Sequence, residues 1–321
     1  MSDESGHKRS QEAVIKNLKI VMLVCCLPAF HIAGVMSQEK EFQILRGPYL
    51  GQTPPGVLPE AFAPSIIFFE KAVHGSIAFS PDGKEIYWIF HPATYGLSAP
   101  PIHFVKEVDG RWTEPAVLEF SKDHGAVNIS ISPDGTKLFF NSKRPWPESR
   151  GRQPALNSLE AWKTWYVERI GSGWGEPKLL DRRTNQNLMG VSSTMDGTLY
   201  THGIKRVRMK DGRYAELEQL GPPLDLGRIA GGNPFISPDE SYILFNGKWP
   251  GKFGYGIFIS YRTQDDRWTE PVNLLEKLNA PRGGSQPIVT PDGRYLFYYS
   301  GGKFYWADAR IINDLKPKDF K

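Results

Sequence analysis

The sequence predicts an all-β chain: a single β-propeller of four-stranded antiparallel blades, five in number, with the ring closed by an N-terminal strand. Three observations carry this. Nearly one phrase returns five times, as "FSPDGKEIYW", "ISPDGTKLFF", "STMDGTLY", "ISPDESYILF" and "VTPDGRYLFY". The turn aspartates Asp82, Asp134, Asp196, Asp239 and Asp292 lie 52, 62, 43 and 53 residues apart, and self-similarity at such a period marks a propeller or a solenoid. Aromatic residues at 12%, with 32 Gly and 26 Pro, suit many short strands joined by turns.

The elements follow in chain order. "KNLK", then the apolar run "IVMLVCCLPAFHIAGVM", then the polar "SQEKE" has the form of a secretory signal. Val35 and Ser37 stand at −3 and −1 of a cut before Gln38. The run is 17 residues, broken by Pro28 and His31, which is short for a membrane span; if uncleaved, it is the only membrane contact expected. Residues 1–37 are therefore read as a signal peptide, 38–58 as an extended lead-in and 59–321 as the propeller, exported to the periplasm or beyond. Cys25 and Cys26 are the only cysteines, so the mature chain has no disulfide, thiol nucleophile or cysteine ligand. The net charge of +4 is too mild for a nucleic-acid binder.

Each unit opens with an alternating run, turns at Ser-Pro-Asp-Gly, and continues in an aromatic and β-branched strand. A third strand such as "WYVERI" or "GIFISYR" follows. Three units end in a Trp phrase, "WTEPAVLEF", "WGEPKLLD" and "WTEPVNLLEKL"; the third offers "YAELEQLGPPLDL". Four strands make a propeller blade. The last unit lacks its outer strand, which "GVLPEAFAPSIIFF" ahead of the first unit can supply, removing an unpaired edge.

The phrases "FSPDGKEIYW" and "ISPDGTKLFFNS" resemble the TolB-like propeller repeats, relatives of the WD-type blades, over about residues 59 to 310. The resemblance implies the fold. It implies little about activity, since the family mixes periplasmic scaffolds, sensors and peptidase-linked domains. Its members often have six blades, the alternative to the five counted here.

The turn aspartates read as hairpin caps, and the Trp of the closing phrase as outer-strand packing. Sialidase Asp boxes need another order of residues. Five residues before each turn Pro or its equivalent stand Ser76, Asn128, Gly190, Asn233 and Gln286, which strand alternation puts on one face. Ser76, Asn128, Asn233 and Gln286 are thus the candidate ligand ring of the central channel. The ring offers neither the paired carboxylates of a glycosidase nor histidine, and no catalytic residue is assigned.

Long loops on the same face supply Lys143, Arg144, Trp146, Arg150, Arg152 and Trp162, then Lys248 and Trp249, with Lys205, Arg228 and Arg282 from neighbouring units. Of these, Arg144, Trp146, Lys248, Trp249 and Arg282 are the candidate face contacts, because Arg and Lys beside Trp suit anionic or acidic ligands. His74, His91, His124 and His202 fall on the same side and form the alternative, a metal site. The reading is an exported, non-catalytic binding or scaffold propeller for an envelope protein or carbohydrate, without a cofactor. The alternative is a metal-dependent hydrolase or lactonase using those histidines.

Overall fold

The structure is a computed structural model. It describes residues 44–69, 71–92, 99–146, 161–180, 188–224, 232–248, 255–280 and 283–318. The signal segment, Trp249 and Arg282 lie outside the described residues, as do Arg150, Arg152 and Arg228.

Five four-stranded antiparallel blades form a ring, as the repeat predicts. Blade 1 runs outward through Ala72–Phe79, Glu85–Pro92, His103–Val108 and Ala116–Val117; blade 2 through Val127–Ile131, Lys137–Ser142, Lys163–Ile170 and Lys178–Leu179. Blade 3 uses Ser192–Ser193, Leu199–Thr201, Lys205–Val207 and Glu218–Gln219; blade 4 uses Gly232–Ile236, Tyr242–Lys248, Tyr255–Tyr261 and Val272–Asn273. Blade 5 takes Ser285–Val289, Tyr295–Ser300 and Lys303–Asp308 from the C-terminal end, and its outer strand is Glu60–Ala61. Glu60 pairs with Trp306 and Ala61 with Tyr305, so the two ends of the domain close the ring. The innermost strands touch in a cycle, each against the next and the fifth against the first.

The turns show why the phrase recurs. In blade 2, Ser132 Oγ donates to Asp134 Oδ1 (2.5 Å) and accepts from the Lys137 N–H (2.9 Å), while Asp134 Oδ1 also accepts from the Thr136 N–H (3.0 Å). The Ser80–Asp82 and Thr290–Asp292 turns repeat this pattern, and Thr194 likewise donates to Asp196. In blade 4, Ser241 supplies the hydroxyl and N–H to Asp239. One short side chain thus satisfies several turn groups at once. These carboxylates build the hairpins.

Strand alternation sends successive side chains into opposite seams. The buried apolar residues accordingly form five clusters, one between each pair of neighbouring blades. The seam between blades 5 and 1 has sixteen members among the described residues, including Phe62, Phe79, Phe297 and Trp306. Residues 44–58, the described part of the segment 38–58 read from sequence as a lead-in, form a strap across it. The Tyr49 ring lies 5.0 Å from Tyr295 and 5.6 Å from Trp306, and its hydroxyl donates to Asp292 Oδ2 (2.8 Å). The strap also ties to blade 1, where Trp112 Nε1 donates to the Gly47 carbonyl (2.8 Å). Trp112 and Trp268 of the closing phrases are buried, in the packing role expected of them.

Candidate functional site

Four of the five ring positions share an unusual backbone. Asn128 (φ 52°), Gly190 (φ 60°), Asn233 (φ 44°) and Gln286 (φ 55°) are left-handed. The pairing register of the innermost strand slips at the same place in blades 2, 4 and 5, between Val127 and Ser130, Gly232 and Phe235, and Ser285 and Ile288. A bulge of this kind re-aims a side chain at a sheet edge, and Asn and Gly tolerate the conformation best. Their return at one repeat position was the legible sign of it. Ser76 differs: it is buried, and its Oγ accepts from the Ile129 N–H (3.1 Å) and donates to the Ile129 carbonyl (3.2 Å), joining blades 1 and 2.

The ring amides bond to one another. Gln286 Nε2 donates to Asn128 Oδ1 (2.7 Å), a crossbar from blade 5 to blade 2 past the intervening blade 1. Asn128 Nδ2 donates to Asn141 Oδ1 (3.3 Å), which also accepts from the Gly190 N–H (3.0 Å). Asn233 Nδ2 donates to Asn246 Oδ1 (3.4 Å). A Cβ on Gly190 would lie 2.7 Å from Asn233 Oδ1, so the position without a side chain is occupied by its neighbour's amide. Asn141 and Asn246 were not among the residues singled out from sequence. Their signal is there: each follows its ring asparagine by 13 residues, in "KLFFN" and "YILFN".

Below the amides runs a channel of about 390 Å³. Its walls are chiefly apolar, with Ile77, Ile129, Phe235 and Ile288 among them, and the hydroxyls of Ser130, Ser192 and Ser193 on the side of blades 2 and 3. It reaches the hairpin turns, where Pro81, Pro133, Met195, Pro238 and Pro291 form its lip. Among the described residues, no carboxylate, lysine, arginine or histidine lines it. Tyr242 does, and burial, reinforced by the nearby Asp239 charge, raises its hydroxyl pKa so that it stays neutral. The candidate ring is therefore one end of the channel. The expected ligand face was the opposite, loop side; amide crossbars on that side leave the roomy part of the bore toward the hairpins.

The loop candidates are spread out. Arg144 is buried in blade 2, with its guanidinium 5.4 Å from the Phe140 ring and 5.3 Å from the Trp165 ring and a hydrogen bond to the Phe120 carbonyl (2.5 Å). It is held inside the blade and is not presented on the face. Trp146 packs on the seam of blades 1 and 2 beneath the Lys163 ammonium, 5.3 Å from its ring, and Lys143 sits likewise over Trp162 (4.7 Å). Lys248 is exposed at a strand end. Of the histidines, His74 and His91 face each other across adjacent strands of blade 1. Burial, then the neighbouring His74 charge, lowers His91 to about 4. His124 is exposed ahead of blade 2, and His202 lies on blade 3 against Gly232, where an added Cβ would meet its Nε2 at 2.8 Å. Among the described residues, no three His, Cys, Asp or Glu side chains converge as a metal site would require.

No protein-family model and no curated protein matches the sequence. Among solved structures the chain is similar to a protein designated TolB from Agrobacterium tumefaciens, with 15% identity, 72% of this chain and 71% of that one covered, and a TM-score of 0.42. It is also similar to a gluconolactonase from Xanthomonas campestris, with 12% identity, coverage of 83% and 99%, and a TM-score of 0.43. A family 43 endo-arabinanase from Bacillus licheniformis gives 15% identity, coverage of 74% and 93%, and a TM-score of 0.44. Likeness at this level carries no argument about activity.

Proposed function

We propose that the protein is an exported, non-catalytic binding propeller that engages an envelope partner through its central channel. The observation that carries this reading is the channel itself: about 390 Å³, walled by apolar side chains and ended by hydrogen-bonding amides. That size and lining suit a ligand pocket. The chemistry at its walls can bury apolar groups and orient a polar one, and among the described residues it holds no pair of ionisable groups poised for acid and base work. Of the two ligand classes the sequence suggests, an envelope protein or a carbohydrate, the apolar wall favours a protein segment. The signal-like N-terminus supports export, and no helix among the described residues is long and apolar enough to cross a membrane.

Pull-down from the cell envelope with the full chain, compared with the Asn128→Asp, Asn233→Asp double variant, tests the reading. Each substitution replaces a donating Nδ2 with a carboxylate facing another amide oxygen. The expected result is a saturable partner lost in the double variant while the fold persists by circular dichroism. A partner retained at full strength would remove the channel from the interaction. N-terminal sequencing of exported material should start at Gln38; a start at Met1 would remove cleavage.

A further inference from the structure

The two ends of the channel differ in chemistry. At one end the amide side chains close on one another, with the Gln286–Asn128 bond spanning two blades. At the other, the five turn positions form an apolar lip, four prolines and Met195, and Met195 is 61% exposed. Directly after each lip residue in the chain stands an aspartate. Asp82, Asp134, Asp196, Asp239 and Asp292 are all exposed. Burial works against them, yet hydroxyl and backbone N–H bonds hold the carboxyls of Asp82, Asp134, Asp196 and Asp239 below the ordinary range, so these four are ionised at neutral pH. Glu240, next in the blade 4 turn, is neutralised by Arg262. Against the five aspartates stand Lys84 and Arg294 in the turns and Lys137 beside Asp134, while Arg208, near Asp196, is paired with Glu218 and Asp266. A chain of net charge +4 thus presents an acidic collar around an apolar mouth.

We infer that the hairpin rim is the docking face, and that its occupant is an apolar protein segment flanked by lysine or arginine. The apolar residues of the segment enter the bore past the proline and methionine lip, and its peptide groups meet the ring amides. The flanking cations remain at the collar, where opposite charge sets specificity and association rate and salt screens it. This rests on the channel reading above and adds the face, the direction of entrance and the sign of the partner's charge.

The test uses the full chain and three labelled peptides with one Leu-Leu-Leu centre, flanked on both sides by Lys, by Ser or by Glu, followed by fluorescence anisotropy. The Lys-flanked peptide should bind at least tenfold more tightly than the Glu-flanked one at low salt, with the ratio falling toward one in 1 M NaCl. Met195→Lys, at an exposed lip position, should weaken the Lys-flanked peptide severalfold more than the Ser-flanked one. Binding that ignores the flanks, or that Met195→Lys leaves unchanged, overturns the rim and collar while leaving the channel reading in place. Binding of none of the three overturns the channel reading as well.

Discussion

Asn141 should be worth more to this protein than any of the ring residues it serves. Its side chain is 1% exposed and makes four hydrogen bonds. Nδ2 donates to Thr164 Oγ1 (3.1 Å) and the Leu188 carbonyl (2.9 Å); Oδ1 accepts from the Gly190 N–H (3.0 Å) and Asn128 Nδ2 (3.3 Å). Asn141→Leu keeps the branching and removes all four. The Leu188 carbonyl still receives Thr164 Oγ1 (2.6 Å), and half-buried Asn128 can turn to water in the channel. The Gly190 N–H, in a buried residue, has no such alternative. Leaving it unpaired costs about 1–3 kcal/mol, and each remaining bond contributes about 0.5–1.5 kcal/mol. Part is offset by the apolar burial of leucine, so the net loss should be about 3 kcal/mol. Asn246, buried at the matching place in blade 4, accepts one long bond (3.4 Å), and Asn246→Leu should cost about 1 kcal/mol. Urea unfolding by tryptophan fluorescence measures both, as a lowered midpoint at unchanged slope. If Asn141→Leu lost no more stability than Asn246→Leu, the hub would not exist as described.

The other predictions concern the strap, the turns and the histidine pair. Tyr49→Phe should cost about 1 kcal/mol through its bond to Asp292, and Tyr49→Ala about 3–5 kcal/mol by opening a cavity in the aromatic seam, both read from the same urea curves. Asp134→Ala should lower stability by about 1–2 kcal/mol, because the carboxylate serves its own hairpin, and urea unfolding checks it. The four turn carboxyls held below their ordinary value contribute stability that is complete above that value and is lost as pH falls through the folded values; thermal melting from pH 5 to pH 2 should show the decline, and Asp134→Ala should reduce it. His91 acts at higher pH. With its folded pKa near 4 against an ordinary 6.5, it is favoured neutral, so stability should fall as pH drops from about 6.5 toward 4, by up to about 3 kcal/mol when fully charged. His91→Gln should flatten that part of the melting profile; an unchanged slope would assign it to other groups.

The blades were legible because each hairpin is made by neighbours in sequence: hydroxyl, proline, aspartate and glycine act within five residues, and the phrase for one turn is the phrase for all. The closing strand was legible for a related reason, since a unit short of one strand must find it elsewhere. The site was legible only in outline. Alternation put Asn128, Asn233 and Gln286 on the channel, but the bulge that aims them is a backbone event, visible in sequence only as Asn, Gly and Gln at one repeat position. The crossbar joins residues 158 apart, and no local pattern encodes it. Arg144 shows the opposite failure. Its charge suggested a surface role, yet its long stem lets the guanidinium lie between two aromatic rings and reach a carbonyl inside the blade.

The strap has a further consequence. Blades 1 and 5 together form a groove with an open edge along Lys303–Asp308, and Tyr49, Phe62 and the pair Glu60–Ala61 fill it. That segment is in effect a tethered ligand, and ring closure is an intramolecular binding equilibrium set by the effective concentration that its tether to Ala72 imposes. Severed between Phe69 and Ala72, the same segment would become a bimolecular ligand, and the ring would close only in proportion to how much of it was supplied. Two chains exchanging their straps would each remain a closed ring, joined as a dimer by nothing but the crossing of their tethers.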